Sequence, residues 1–331
     1  MDKKRSTRRF PRLLKWILWV LLVQLLLINV SAAFYAYRLT YFYGEGNIRE
    51  PLSGKNAIAR TWRLFTGPRY QKSIVGATPV FAYDTVMLKT SKGIFLDGWY
   101  ARADSVSKGT VILFHGITTT KASLLAEAGE FLYQGYSVLM IDFRAHGNSG
   151  GRTTTMGIRE AEDVEVAYTY IKHKGETNIF LYGSSMGAVA VMKAIGDANL
   201  RPTGIMLDMP FESMQTHLQA RARLEGFSGF AEKPFGFLVT AWISLERRCN
   251  GFSHRTPVYG KKINCPVLLQ WGKLDRVVTE KETTRIFNDI ASPAKKLVVY
   301  ENAGHGSLLQ SDSEKWQENV SRFLQSSTGL K

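Results

Sequence analysis

Hydrophobic and polar positions follow two different periods along this chain, after an opening stretch that has no polar face at all. Residues 16–37 carry no charge and are dominated by Leu, Ile, Val and aromatics. A helix rises about 1.5 Å per residue, so a run of this length spans a bilayer core. Farther on, 85–90 and 94–101 read as two strands around Ser91-Lys92-Gly93, a hairpin. The continuous apolar run 110–114 has the character of a strand buried on both faces. Further strands are predicted at 136–142, 179–182, 203–208, 266–271 and 296–300. Helices are predicted between and after them, at 121–134, 158–172, 188–194, 280–290 and 313–324. In the second of these, Ala161, Val164, Ala167, Tyr168 and Ile171 recur at helical spacing. Strand–helix alternation predicts an α/β fold, a mostly parallel sheet flanked by helices, with ligands at the carboxyl ends of its strands.

These patterns divide the chain into a basic head (1–15), a transmembrane helix (16–37), a connector (38–80) and one α/β domain (81–328). The connector is rich in Gly and Pro, with a short helix over 56–65. The segment 211–260, between two strands, is a lid insertion holding Phe227, Phe230, Phe235, Phe237, Leu238, Trp242 and Ile243. These residues suit either an apolar acyl pocket or packing of the lid on the sheet.

The formal charge of +15 invites a nucleic-acid reading. Up to Lys72, however, fourteen Lys/Arg stand against three acids, which is +11 of the +15. The basicity therefore belongs to the N-terminal segment, and membrane topology explains it. Seven basic residues precede the apolar run and only Arg38 and Arg49 follow closely. This places the N-terminus in the cytoplasm and the domain outside it, as a signal anchor. The alternative is a cleaved signal peptide ending at Ser31-Ala32-Ala33, with a secreted or periplasmic product. Cys249 and Cys265 have no metal-ligand spacing, and no metal or cofactor is expected.

Chemistry enters at Gly183-Ser184-Ser185-Met186-Gly187, a Gly-x-Ser-x-Gly turn between a predicted strand and helix. The flanking glycines avoid collision with the adjoining strand and helix, and the central serine is exposed at a helix N-terminus. Three further motifs follow other strands: His115-Gly116-Ile117, Trp271-Gly272-Lys273-Leu274-Asp275-Arg276-Val277, and Asn302-Ala303-Gly304-His305-Gly306. A fourth, Asp142 to Gly150, reads as a structural brace.

With these motifs in this order, residues 85–324 resemble the α/β-hydrolase superfamily, nearest to its serine-aminopeptidase and monoacylglycerol-lipase-like branch. The resemblance implies a triad of Ser185 as nucleophile, His305 as base and Asp275 as acid, with backbone N–H groups of Ile117 and Met186 as the oxyanion hole. Asp208 is the alternate acid, and His146 a weaker base candidate. The implied function is a serine hydrolase acting on an ester, thioester or amide of a small-molecule or lipid-like acyl substrate. Acyl transfer on the same triad and an inactive hydrolase-fold binding protein are the alternatives.

Overall fold

The computed structural model describes residues 12–46, 57–104, 106–224, 229 and 232–328. Most of the basic head, residues 47–56 of the connector, and Phe227 and Phe230 lie outside them. The chain opens with helix α1 (Arg12–Thr40), then β1 (Tyr43–Glu45), α2 (Ala57–Thr66) and β2 (Gln71–Lys72). Strands β3 (Asp84–Lys89), β4 (Phe95–Ala101) and β5 (Thr110–Phe114) follow, then α3 (Leu125–Tyr133), β6 (Ser137–Ile141) and α4 (Glu160–His173). Next come β7 (Ile179–Ser184), α5 (Met186–Ala198), β8 (Gly204–Asp208), α6 (Met214–Leu224), α7 (Glu232–Glu246) and α8 (Thr256–Gly260). The chain closes with β9 (Val267–Gly272), α9 (Glu280–Asp289), β10 (Lys295–Tyr300), α10 (Leu308–Ser311) and α11 (Ser313–Thr328).

Eight strands form one sheet in the order β10-β9-β8-β7-β5-β6-β4-β3. Strands β6, β5, β7, β8, β9 and β10 run parallel, and β4 pairs antiparallel with both β3 and β6. Burial follows position. Every residue of β5, β6, β8 and β9 is buried, whereas edge strand β3 alternates between exposed and buried residues. The chain steps from β5 to β6 in one direction and then crosses to the other side of β5 for β7. Right-handed crossovers therefore put α3 and α4 on opposite faces. On the α3 face the fully buried Trp316 of α11 meets Phe131 and Tyr182 edge-on. The reversal opens a crevice at the carboxyl ends of β5 and β7, where such sheets bind ligands.

Helix α1 has two parts with different surroundings. Apolar residues from Leu13 to Val30 are largely exposed, whereas Ala32, Tyr35, Ala36 and Leu39 belong to the core. Eighteen residues of helix cover about 27 Å. The apolar run predicted as a span thus continues, without a break, into a segment that packs on the domain. Tyr35 meets Phe235 of α7 edge-on at 5.1 Å. Arg38 donates to Thr66 Oγ1 at 2.5 Å and to the Gly67 carbonyl at 2.7 Å. Arg247, just past α7, donates to Thr40 Oγ1 at 2.7 Å. Within the connector β1 and β2 pair in parallel, and Phe42 N–H, donating to the Arg152 carbonyl at 2.8 Å, ties the connector to the domain.

Candidate active site

The turn after β7 holds Ser185 at φ 51° and ψ −112°, a conformation costly for any residue with a side chain. It persists because the surroundings leave no alternative. A Cβ on Gly183 would lie 2.6 Å from the Ala188 nitrogen, and one on Gly187 would lie 2.2 Å from the Phe114 carbonyl oxygen. Any larger residue at either position forces β5, β7 and α5 apart. Met186 is the first residue of α5, so its N–H is one of the helix's unpaired N-terminal donors. The loop after β5 approaches from the other side, and a Cβ on Gly116 would sit 3.6 Å from Ser185 Cβ. Thr118 in that loop has φ 59°, a second strained position beside the serine.

Hydrogen bonds connect three strand ends. His305 Nε2 lies 2.9 Å from Ser185 Oγ, and His305 Nδ1 lies 2.7 Å from Asp275 Oδ2. The other carboxylate oxygen, Asp275 Oδ1, accepts from the Val277 and Val278 N–H groups at 2.6 and 2.9 Å. Asp275 is thus oriented from both sides. It does not cap α9; Thr279 does so, in a capping box with Glu282. Asp208 is held elsewhere. Its carboxyl accepts from Tyr182 Oη at 2.5 Å and from Gln270 Nε2 at 2.9 Å. Complete burial pushes it up to about 7.

Two buried histidines, His115 and His146, serve the frame. His115 Nε2 accepts from the Phe143 N–H at 3.0 Å while Nδ1 faces the Gly116 carbonyl at 2.7 Å, which ties the β5 loop to the β6 loop. Burial holds His115 down to about 4, so it is neutral and fixed in one tautomer. His146 Nδ1 meets the Arg144 carbonyl at 2.9 Å, and its ring packs edge-on to Phe42 at 5.0 Å.

The β6 loop is braced by charge. Lys121, fully buried, places Nζ against Asp142 Oδ2 at 2.5 Å and against Asp97, and its ammonium lies 4.5 Å from the centre of the Trp99 ring. Lys121→Met is expected to leave two aspartates without their cation at a cost of about 3–5 kcal/mol. The melting temperature should fall on the order of 10 °C. Thermal unfolding of the two proteins side by side checks this, and an unchanged midpoint would refute the bracing role.

Ser185 and His305 open into a cleft of 650 Å³. Ile117, Leu124, Met209, Leu224 and Val277 supply its apolar walls; Glu127, His217 and Arg221 are its other titratable lining groups besides Tyr70, Tyr182 and His305. Gly46, Tyr70, Gln71 and Ser73 bring the connector into the wall. The described aromatics of 211–260 face elsewhere. Phe235 packs on Tyr35, Phe237 on Phe252, and Trp242 lines a groove against α1 with Leu26, Ala33 and Phe34. Among the described residues of that segment, those of α6, His217, Arg221 and Leu224, line the cleft. The helical spacing of His217 and Arg221 was a readable signal, whereas nothing local marked the connector as part of the cleft.

Cys249 and Cys265 are unpaired and half-buried, and burial pushes the Cys265 thiol up to about 12, which makes it unreactive. Among the described residues no group of three His, Cys, Asp or Glu side chains gathers to hold a metal.

The family model described as serine aminopeptidase, S33, matches residues 105–242. The chain is similar to the esterase Pf2001 of Pyrococcus furiosus at 25% identity and a TM-score of 0.62, over 77% of this chain and 97% of that one. It is 28% identical over 244 residues to the protein YqkD of Bacillus subtilis (strain 168), covering 72% of this chain and 78% of that protein. It is 27% identical over 245 residues to the protein Rv2307c of Mycobacterium tuberculosis (strain ATCC 25618 / H37Rv), with the same coverage of 72% and 78%. The chain is an α/β-hydrolase enzyme, esterase-like in its structural relatives.

Proposed function

We propose that this α/β-hydrolase is a membrane-anchored serine esterase in which Ser185, His305 and Asp275 form the catalytic triad. The observation that carries the reading is the unbroken relay from Asp275 through His305 to Ser185, at 2.7 and 2.9 Å. His305 Nε2 takes the Ser185 proton as Oγ attacks the acyl carbon. Asp275 holds the imidazole in the tautomer that presents Nε2 and stabilises the imidazolium. The Ile117 and Met186 N–H groups receive the oxyanion, and each such donor is typically worth about 3 kcal/mol of barrier. His305 then returns its proton to the departing alcohol, and water repeats the sequence on the acyl-enzyme. An ester is favoured over an amide because a structure at 25% identity is named an esterase. The test is labelling with a fluorophosphonate probe followed by matched p-nitrophenyl ester and anilide substrates. Label that depends on Ser185 and His305, with faster ester turnover, is the expected result. Absence of label, or label that survives Ser185→Ala, would overturn the assignment.

Anchoring rests on α1. It is long and apolar enough to cross a membrane, and its lower turns belong to the core. Cleavage after Ala33 would cut this helix and leave Tyr35, Ala36 and Leu39 on a stub of about two turns, too short to hold helical form alone. This favours the anchor over a removable signal peptide. Next to it, Trp62 of α2 is exposed and packs against Phe34 at 6.4 Å, a placement suited to the bilayer interface. The full chain is expected to float with phosphatidylcholine vesicles in 1 M salt, where electrostatic adhesion is screened over about 3 Å. Release into the soluble fraction under those conditions would refute integral anchoring.

A further inference from the structure

We infer that the cleft wall formed by α6 and the segment after α1 binds an anionic oxygen group, a phosphate or carboxylate carried by the substrate, through Arg221 and His217. This rests on the esterase reading of the same cleft and names the substrate class that reading leaves open. Arg221 lines the cleft and has no carboxylate within ion-pair range among the described residues. Its guanidinium donates to Tyr70 Oη and lies 5.1 Å from the centre of the Tyr70 ring. Tyr70 is itself buried, so the connector holds the guanidinium in place, and among the described residues most of its five N–H donors have no partner. A planar fork of donors matches the spacing of carboxylate and phosphate oxygens.

His217 stands one helical turn before Arg221, on the same face of α6. It is 3% exposed, and neither ring nitrogen has a hydrogen-bond partner among the described residues. Its ring lies on Phe211 with centroids 4.6 Å apart, which fixes its plane. Burial, with the charges of Arg221 and His305, keeps the ring neutral, so one nitrogen always carries a proton to donate. Buried polar groups are almost always paired in folded proteins. An oxygen arriving beside Arg221 supplies the partner that the unliganded chain lacks.

The one carboxylate among the described lining residues, Glu127, does not offset this cation. Glu127 Oε1 already accepts from Ser307 Oγ at 2.6 Å, burial raises its carboxyl, and no ion pair joins it to Arg221. The apolar walls from Ile117 to Val277 then suit the acyl chain, and the α6 side suits the charged end. The substrate is therefore an amphiphilic ester with an anionic group, either a phosphate on a lipid or a carboxylate on a soluble ester.

The test uses the full chain in detergent, first by binding and then by turnover. Octyl phosphate and octanol, titrated against the protein, report the anion subsite without any hydrolysis. Octyl phosphate is expected to bind at least about tenfold more tightly, the equivalent of one charge-assisted hydrogen bond, and Arg221→Gln should abolish the difference. Arg221→Lys should restore part of it, and His217→Phe should reduce it several-fold. Turnover of oleoyl glycerol against oleoyl glycerol phosphate, and of neutral against carboxylate-bearing p-nitrophenyl esters, then separates the lipid source from the soluble one. The kcat/KM ratio of charged to neutral member should fall in Arg221→Gln through a higher KM for the charged one. Equal binding of the two octyl probes, or a preference that survives both Arg221→Gln and His217→Phe, would overturn the subsite. Failure of fluorophosphonate labelling would overturn the esterase reading separately, since the octyl probes do not depend on it.

Discussion

Ser185→Ala is expected to lower kcat by roughly 10⁴–10⁶-fold and to abolish fluorophosphonate labelling, while the thermal unfolding profile stays that of the parent. The size of the loss follows from position. The hydroxyl is the one nucleophile held 2.9 Å from His305 Nε2, at the mouth of a cleft and at the first turn of α5. Its neighbour Ser184 ends β7 and serves as spacer, so Ser184→Ala should keep most of the activity. Removing the Ser185 oxygen leaves φ at 51° and the glycine contacts of the turn untouched, which is why folding should not suffer. Residual turnover above the uncatalysed rate would report the oxyanion donors alone. Steady-state kinetics on a p-nitrophenyl ester reads the loss, and a variant retaining a tenth of the parental rate would remove Ser185 from the mechanism.

The second large effect concerns the acid. Asp275→Asn should reduce kcat by about 10⁴-fold, because an amide donating to Nδ1 presents the wrong tautomer to Ser185. Asp208→Asn should leave activity within about tenfold of the parent, since its partners are Tyr182 and Gln270 and not the imidazole. The pair is decisive in combination. Asp208 ends β8 and Asp275 follows the adjacent parallel strand β9, and both precede the histidine in the chain. If Asp208→Asn proved the more damaging, the relay through Asp275 would not be the catalytic one.

Much of the frame was written locally. The continuous apolar runs became β5 through β10 with ends within two residues, and β5 to β9 were plainest because a strand buried on both faces has almost no polar position to disguise it. The hairpin around Ser91-Lys92-Gly93 formed as β3 and β4. The serine turn was legible because it needs two glycines at fixed offsets, and each of them turned out to face a backbone atom. The helix over the connector, α2, was legible for the same local reason.

Elsewhere local pattern was insufficient. The aromatics of 211–260 suited an acyl pocket as well as packing, and Phe235 and Trp242 went to α1. Hydrophobicity is non-directional, so it fixes that a side chain is buried and not against which neighbour. The apolar run after the basic head has the composition of one span from end to end. Its lower turns instead pack on the domain, which composition cannot distinguish from lipid contact because both solvents are apolar.

The sequence by itself determined the sheet, the strand ends that carry Ser185, Asp275 and His305, and an N-terminal helix fit for a bilayer, since each depends on short-range periodicity or steric need. Only the tertiary structure decided that Asp275 and not Asp208 reaches the imidazole, for both are strand-end carboxylates and the choice lies in which loop bends toward His305. It also decided that residues from the connector and α6, 151 positions apart as Tyr70 and Arg221 are, close one cleft. A contact of that separation has no period, no motif and no local cost to announce it; it exists because α1 docks on α7, and Tyr70, Gln71 and Ser73 line the cleft beside α6.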